Sequence, residues 1–497
     1  MSMFSWRFCT RVGLVLALAA GLSGPARADD PASPTPAIEE QASAQAQKSE
    51  PSEKPASKGM PSLMTLVPDL TPVSDYRGDL WNRAALFGDA FGKRQELYEK
   101  GIALDFMLTQ VPQGVVSGGK DTVWKYGASA DYYLFLDSGR LDLWPGGLLG
   151  IHAETKFGRS LNLASGAISP VNADYLWPSP GQKDETFLSE YYLYQGLTEN
   201  LAMVLGRLNW VGIADRNRFA NNERTQFLNM SLRNTTLLGA FFPLTAHGVG
   251  LAYQPLPNVE VTTFAVSVND EPGVYGSPGG LFSEVSAGAE IDISWKLSDL
   301  PGAVRPGFAY GTEDPAALDN GHLVLDKLLG LSIPRKNSNW IVNFNFEQYI
   351  YMPEHQPPEI NLDFFGHDRL PLQDAGPRTA DFDFNPEGVG VFFRFAYTPE
   401  DRNPWNMFVS GGVGGRGVIP GRPNDRYGLG FYSLIVSGDL RNQLILGRLD
   451  TEWGMEVFYN IAITPWLQLT PDLQYIQSGR PRVDDAVVLG FRVQTYF

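Results

Sequence analysis

Three carboxylates, Glu154, Glu290 and Asp292, lie on the polar faces of segments in which polar and apolar residues alternate. A glycoside hydrolase needs at least one pair of carboxyl groups, placed across the bond that it cleaves. No motif in the sequence pairs any two of these three residues. If the segments are strands of a channel wall, the same side chains line the lumen and help to select solutes.

Arginine, asparagine and tryptophan occur close together in VLGRLNW, as Arg207, Asn209 and Trp210, and Arg394 and Arg492 lie on the polar faces of later segments. Arginine, asparagine and glutamate can bind the hydroxyl groups of a sugar, and an aromatic ring can stack on its C–H face. These residues are therefore candidates for sugar contact. The arginines could equally be ordinary solvated pore charges, and the tryptophan could belong to an aromatic girdle at the lipid interface.

Other patterns that could carry chemistry are weak. The five histidines are widely spaced, and for His355 and His367, in one long loop, the sequence nominates no third metal ligand. Gly412, Gly414 and Gly417 match the spacing of a dinucleotide-binding loop, but no helix follows them. Glycines in a barrel wall or turn explain this stretch better. We predict no catalytic residue, no metal site and no cofactor.

The candidate residues are carried by alternating segments that are separated by clusters of glycine, proline, asparagine and aspartate, which is typical of strands and turns. About sixteen such segments start near residues 102, 124, 147, 187, 201, 247, 259, 286, 303, 339, 388, 405, 427, 455, 467 and 486. One alternating segment would also suit a soluble sandwich, but sixteen of them predict an all-β fold, a 16-stranded antiparallel transmembrane β-barrel.

The predicted pore-lining or sugar-contact residues lie mainly on the polar faces of these strands. They are His152, Glu154, Lys156, Arg207, Asn209, Trp210, Glu290, Asp292, Asn343, Asn345, Glu347, Arg394 and Arg492.

The links between segments differ in length. Short links such as LTEN, PLPN and TPW alternate with long ones, for instance residues 158–186, 212–236 and 352–387. This asymmetry predicts short periplasmic turns and long outer loops.

The N-terminal residues have the pattern of a targeting segment. Arg7 and Arg11 precede the apolar residues 12–22 and a small-residue cleavage site, so residues 1–28 are predicted to be a secretory signal peptide. Cys9, the only cysteine, precedes the apolar stretch and is therefore not a lipidation site.

The rest of the chain divides into a spacer and a barrel. Residues 29–68 are rich in proline, alanine, serine and glutamate and predict a disordered periplasmic tether, whose binding to the cell wall is left open. Residues 69–497 are assigned to the barrel, with a short amphipathic helix at residues 93–100 ending before Gly101.

The composition excludes further classes of protein. No run of eighteen apolar residues follows the signal, which argues against transmembrane helices, whereas 12% of the residues are aromatic. The net charge of −16 disfavours binding to nucleic acid.

The last segment ends in an aromatic residue, Phe497, with apolar residues on one face and Arg492 and Gln494 on the other. A terminal aromatic strand is typical of barrels that the assembly machinery inserts into the outer membrane. We therefore expect outer-membrane lipids and that machinery to be partners of the chain.

Several stretches resemble the OprB-type carbohydrate-selective porin family. They include YEKGIALDF, LFLDSGRLDLWPGGLLG, LGRLNW followed by DRNRFANNERTQFLN, RFAYTPEDRNPWN, GVIPGRPNDRYGLGFY and EVFYNIAITPWLQLTPDLQYI, ending at DDAVVLGFRVQTYF. The resemblance extends from about residue 75 to the C-terminus.

The resemblance implies a monomeric or trimeric porin for passive diffusion of monosaccharides or short oligosaccharides through a narrowed pore that carries arginine, glutamate and aromatic side chains. It leaves the sugar unnamed. The alternatives are a general or ion-selective porin without sugar preference, a barrel with a plugged lumen, or, in a different class, a secreted or outer-membrane hydrolase.

Overall fold

The computed structural model describes residues 78–174, 184–198, 200–270, 280–319, 334–353, 387–441 and 449–497. The predicted signal peptide and tether lie outside these ranges, as do His355 and His367.

Sixteen antiparallel strands form one closed barrel, in which each strand pairs with its sequence neighbours and β1 closes the ring on β16. The strands are β1 (Ile102–Gly119), β2 (Trp124–Asp137), β3 (Gly147–Gly158), β4 (Glu185–Thr198), β5 (Leu201–Leu208), β6 (Ala246–Leu256), β7 (Val259–Ser267), β8 (Val285–Leu297), β9 (Leu300–Gly311), β10 (Asn339–Tyr351), β11 (Gly388–Tyr397), β12 (Trp405–Arg416), β13 (Arg426–Val436), β14 (Glu452–Thr464), β15 (Leu467–Gln477) and β16 (Asp484–Tyr496). The predicted sixteen-stranded barrel is confirmed, and the predicted strand starts agree with the observed ones to within three residues.

The alternation of residue types separates an outward face from a lumen face. In β16, Phe491 is 40% exposed on the outside, whereas the next residue, Arg492, has no exposed surface. Because residues directly opposite each other in a ladder share a face, the alternation is transmitted around the ring. The outward face is apolar, and the lumen face carries most of the buried polar and charged side chains.

The two ends of the barrel differ in the lengths of the connections between their strands. The end that carries Ile102 and Tyr496, called the terminal end below, has two-residue turns at residues 257–258, 298–299 and 465–466. The connection at residues 352–387 also begins and ends at the terminal end, because β10 runs toward it and β11 runs away from it. Its expected position among the outer loops is therefore wrong, although most of this connection lies outside the described residues.

One short helix precedes β1, and others lie in the connections between strands. They are α1 (Lys93–Glu99), α2 (Asn162–Ser165), α3 (Trp210–Ala214), α4 (Met230–Arg233), a 3-10 helix (Thr236–Ala240) and α5 (Gly438–Arg441). Within the described ranges, no helix is long and apolar enough to cross a membrane.

Candidate functional site

The connection between β5 and β6, residues 209–245, folds into the lumen and is called the lumen loop. It begins at Asn209, whose side chain accepts a hydrogen bond from Gly212 N and so caps α3. The ring of Trp210 lies against Gly248 and Gly250 of β6, where a Cβ atom would come within 2.6 Å and 2.9 Å of it. Two glycines thus make room for the ring where the chain leaves the wall.

The far side of the lumen loop rests on a row of glycines in the opposite wall. Gly390, Gly414 and Gly428 are paired directly across β11, β12 and β13 and are called the glycine row. Phe219 lies over Gly390 and Gly414, and Phe227 lies over Gly428. A Cβ atom at any of the three would lie less than 3.0 Å from one of these two rings or from Phe219 Cβ, so the wall accepts the loop only because side chains are absent there. Gly412 and Gly414 are wall glycines of β12, as the sequence predicts.

Arg394 of β11 holds three separate points of the lumen loop. Its guanidinium lies 3.1 Å from the Asp215 carboxylate, donates to Leu232 O at 2.9 Å and also donates to Ala220 O. Arg394 and Asp215 both have 0% exposure. Asn345 of β10 donates to the same Asp215 carboxylate at 2.8 Å. These contacts join the beginning, middle and end of the loop to one wall residue.

Arg492 of β16 makes a similar contact with the middle of the lumen loop. It donates to Glu223 O at 2.6 Å and to Gln226 O at 2.8 Å, and also to Thr470 Oγ1 at 3.1 Å in the neighbouring strand. Its side chain has no exposed surface. Arg394 and Arg492 therefore hold loop carbonyls and present no surface to a solute.

Two wall glutamates bind backbone N–H groups of the loop. Glu347 accepts from Arg218 N at 2.6 Å, and Glu456 accepts from Leu228 N and Asn229 N at 2.6 Å and 2.8 Å. A carboxylate that accepts backbone N–H groups forms charge-assisted hydrogen bonds, which are stronger than neutral ones. Wall arginines thus bind loop carbonyls, and wall glutamates bind loop amides.

Residues 159–174, the described first part of the β3–β4 connection, also fold into the lumen. Glu452 of β14 accepts hydrogen bonds from Ile168 N at 2.6 Å and Ser169 N at 2.8 Å. Lys156 of β3 donates to Asp174 O at 2.7 Å. The wall thus holds both loops through the same kind of contact.

Charged residues of β2, β3 and β4 surround His152. Its Nε2 lies 3.0 Å from Asp131 Oδ1, and its Nδ1 lies 2.9 Å from Glu190 Oε1. Its ring stacks on Tyr133 at a centroid distance of 4.1 Å. Arg224 of the lumen loop lies 2.8 Å from the same Asp131 oxygen. We call these residues, with Glu154 and Lys156, the His152 cluster.

Within the His152 cluster, Lys156 Nζ lies 3.1 Å from Glu154 Oε2. Asp131, His152 and Glu154 offer ligand atoms within 4.8 Å of one another, the spacing of a metal site. Two of these three residues already contact a cation, Arg224 at Asp131 and Lys156 at Glu154. The arrangement is that of an ion-pair network.

A second group of charges, the Arg305 cluster, combines residues of β7 to β10 with Arg216 of the lumen loop. It consists of Arg305, Arg216, Glu260, Glu290, Asp292 and Glu347. Arg305 lies 2.5 Å from Asp292 and 3.0 Å from Glu347, and Arg216 of the lumen loop lies 2.9 Å from Glu260. Among the contacts of the described residues, Glu290 Oε2 and Arg216 Nε have no hydrogen-bond partner.

The charged side chains that keep some exposed surface inside the barrel come from both the wall and the loop. The loop arginines Arg216, Arg224 and Arg233 are 23%, 17% and 12% exposed. Among the wall carboxylates, Asp292, Glu154 and Glu190 are 15%, 13% and 12% exposed. Arginines and carboxylates thus face the remaining space together.

Glu223 of the lumen loop has a carboxylate that pairs with Arg224 and Arg233 of the same loop, and its charge can be tested. Burial alone would raise the pKa of its carboxyl, but Arg233 and Arg224 outweigh burial and lower the pKa from 4.5 to about 2. A carboxyl with a lowered pKa in the folded state adds stability above pH 4.5, and this stability is lost as the pH falls through 2. We expect the melting temperature of the wild type to fall over this range more steeply than that of Glu223→Gln.

Tryptophan-fluorescence melting in detergent at a series of pH values measures this difference. Glu185→Gln, at an exposed position, controls for the loss of one charge and should follow the wild type. If the melting temperatures of the wild type and Glu223→Gln fall in parallel with pH, the ionised Glu223 carboxylate does not supply this stability.

The structure brings most of the sequence-predicted residues together. His152, Glu154 and Lys156 belong to the His152 cluster, and Glu290, Asp292 and Glu347 to the Arg305 cluster. Asn345, Arg394 and Arg492 are loop anchors with no exposed surface.

The remaining predicted residues lie elsewhere. Arg207 pairs across the ladder with Tyr191 and His247, and its Nε lies 3.4 Å from Thr245 Oγ1. Asn209 caps α3, and Trp210 is 2% exposed. Asn343, 9% exposed, lies against Gly307 of β9. Sugar contact by these residues stays a prediction.

The loop arginines were absent from the predicted set. Arg216, Arg224 and Arg233 lie in DRNRFANNERTQFLNMSLR, which has no strand alternation. The density of arginine and asparagine in a long connection between two strands is the signal that could have found them. Long loops carry function more often than their length alone would suggest.

Comparisons with known proteins agree with this architecture. Residues 136–497 match the family described as carbohydrate-selective porin, OprB family. Porin B of Pseudomonas aeruginosa is 30% identical over 128 residues, which cover 22% of this chain and 28% of that protein. The chain is thus aligned to less than a third of that relative.

The high-pH structure of Pseudomonas putida OprB superposes with a TM-score of 0.69 at 20% identity, covering 84% of this chain and 100% of that one. The low-pH structure of the same protein gives a TM-score of 0.50 at 17% identity, covering 84% and 99%. At these identities the similarity supports the fold. Since the family match covers more than half of the sequence, the chain belongs to the OprB family of carbohydrate-selective porins and is a β-barrel of the outer membrane.

Proposed function

We propose that this protein lets carbohydrates, as monosaccharides or short oligosaccharides, diffuse passively across the outer membrane through the space beside the lumen loop. The observation that carries the proposal is the set of loop arginines and wall carboxylates that remain partly exposed inside the barrel. A sugar hydroxyl both donates and accepts hydrogen bonds, so neighbouring arginines and carboxylates suit a neutral polyhydroxylated solute better than an ion of one sign.

Arg216 and Asp292 are the residues that we assign first to sugar contact. Their side chains are 23% and 15% exposed, and Arg216 Nη2 lies 3.7 Å from Asp292 Oδ2. A guanidinium can donate to a sugar hydroxyl, and a carboxylate can accept from one. The His152 cluster, where Glu154 and Glu190 keep exposed surface, is the second place of contact.

Sugar block of ion current in a planar bilayer tests the proposal. We expect added glucose or maltose to reduce the current through the wild type, and Arg216→Ala to weaken this block about tenfold, which corresponds to about 1.4 kcal/mol. Arg159→Ala removes an arginine that is 60% exposed beyond the end of β3 and should leave the block unchanged. A large current that no sugar reduces would contradict the proposal and indicate a general porin without sugar preference.

The proposal requires no covalent step. A hydrolase of this fold would release products from an oligosaccharide incubated with the folded barrel, and Glu154→Gln would abolish that release. We expect the oligosaccharide to be recovered intact after passage into liposomes. Product formation by the wild type would favour the hydrolase.

The proposed function also implies an interaction with the assembly machinery and a defined oligomeric state. Strand β16, ending at Phe497, is the segment that we assign to the outer-membrane assembly machinery, and the working unit is a monomer or a homotrimer. Removal of Phe497 should reduce the amount of folded protein in the outer membrane, while native-gel mobility in mild detergent separates the two oligomeric states.

A further inference from the structure

Residues 79–91, which precede α1, are called the rim segment and expose large apolar side chains at the terminal end of the barrel. Trp81 is 67% exposed, Phe87 is 65% exposed, and Phe91 has full exposure. Leu80 is 45% exposed. Large exposed apolar side chains that follow one another so closely along the sequence are typical of a surface with a partner.

The position of the rim segment is fixed by the last residues of the barrel. Leu86 N donates to Tyr496 O at 2.8 Å, and the indole of Trp466 donates to Leu80 O at 2.7 Å. Arg94, the second residue of α1, donates to Phe497 O at 2.6 Å. The segment therefore lies along the rim beside β16.

A line of aromatic rings connects the rim segment to the outward face of the wall. Phe87 lies 5.6 Å from Phe497, Phe497 stacks on Phe106 at 4.6 Å, and Phe106 stacks on Tyr132 at 5.1 Å. Tyr132 is 42% exposed on the outward face of β2. Phe87 is thus the last ring of a row that begins on the lipid-facing wall.

We propose that the rim segment lies in the boundary between head groups and acyl chains of the phospholipid leaflet at the terminal end, with Trp81, Phe87 and Phe91 inserted. Aromatic residues favour this depth, and barrels carry aromatic girdles there. Residues 79–100 contain four basic and four acidic side chains. The attachment is therefore apolar and insensitive to salt, unlike the binding of a basic helix to anionic lipid.

Site-specific fluorescence tests the proposal on the full chain. A background with Cys9→Ser has no cysteine, so a single Phe91→Cys or Trp81→Cys substitution can carry a bimane label after reconstitution into phosphatidylcholine vesicles. Leu104→Cys, 47% exposed on β1, is the lipid-facing control, and Glu99→Cys, exposed on α1, is the aqueous control. Quenching is measured with iodide and with lipids carrying a nitroxide at a shallow acyl position.

We expect labels at 81 and 91 to behave like the label at 104, with at least twice the lipid quenching of the label at 99. Their quenching should be unchanged by 0.5 M salt, about five times the concentration that gives a 10 Å Debye length. Strong iodide quenching at both positions would overturn the proposal. Protection from both quenchers would also overturn it, because residues 1–77 or a second copy would then cover the surface.

Discussion

Replacing Arg394 by methionine is expected to release the lumen loop and to raise the single-channel conductance. The guanidinium bonds the loop at Asp215, Ala220 and Leu232, and the substitution leaves the Asp215 carboxylate without its ion pair in a fully buried position. Breaking one partner of a buried ion pair costs about 3–5 kcal/mol. A lower melting temperature should accompany the higher conductance, and sugar block should weaken because the loop arginines move with the loop.

A matched pair of variants separates loop release from general damage. Arg159→Met removes an arginine in a weak, exposed ion pair and should change neither property. Asp215→Asn combined with Arg394→Met removes the unpaired charge, so we expect the melting temperature to recover in part while the conductance stays high. A conductance equal to that of the wild type in Arg394→Met would mean that the other anchors suffice to hold the loop.

The anchors explain how a loop of many polar residues stays inside a wide barrel. A backbone that enters the lumen loses hydrogen bonds with water, and each buried N–H or C=O group needs a new partner. Glu347 and Glu456 supply acceptors for loop amides, and Arg394 and Arg492 supply donors for loop carbonyls. The charge of the wall residue strengthens each bond and makes its loss costly.

The sequence predicts the wall of this barrel well, because a strand with one face in lipid and one in the lumen must alternate residue types along its whole length. The predicted starts of β1, β2 and β3 are the observed ones, and the polar residues of β3 and β10 face the lumen as expected. The start of β9 was placed three residues late, because Pro301 and Gly302 open the strand with turn-forming types.

Alternation assigns a residue to a face but does not tell what covers it. Arg394 and Arg492 were predicted to meet solutes, and they lie beneath the lumen loop instead, because no periodic pattern marks the contact between a loop and a distant wall. The loop arginines were missed for the same reason. The length of the connection at residues 352–387 does not show at which end of the barrel it lies. Only the number of strands that precede it shows this.

Introducing valine at Gly390 is expected to push Phe219 and the adjacent part of the lumen loop away from the wall. A Cβ atom at this position would lie 2.0 Å from Phe219 Cζ and 2.7 Å from Gln348 O, so the ring cannot stay in place. Overpacking of this kind costs about 1–3 kcal/mol. The melting temperature should fall and the conductance should rise, since Arg218 and its bonds to Glu347 are adjacent to the displaced ring.

The partner substitution tests whether Phe219 is the cause. Phe219→Ala removes the ring and its contact with Tyr349 at 4.8 Å, and it costs stability by leaving a cavity. We expect Gly390→Val to lower the melting temperature much less in the Phe219→Ala background than in the wild type, because the space then exists for the new side chain. Gly411→Val, where no atom lies closer than 3.1 Å to the new Cβ, is the control on β12 and should have a smaller effect. If the effects of Gly390→Val and Phe219→Ala are simply additive, the valine acts through the backbone of β10, and the glycine row does not seat the loop.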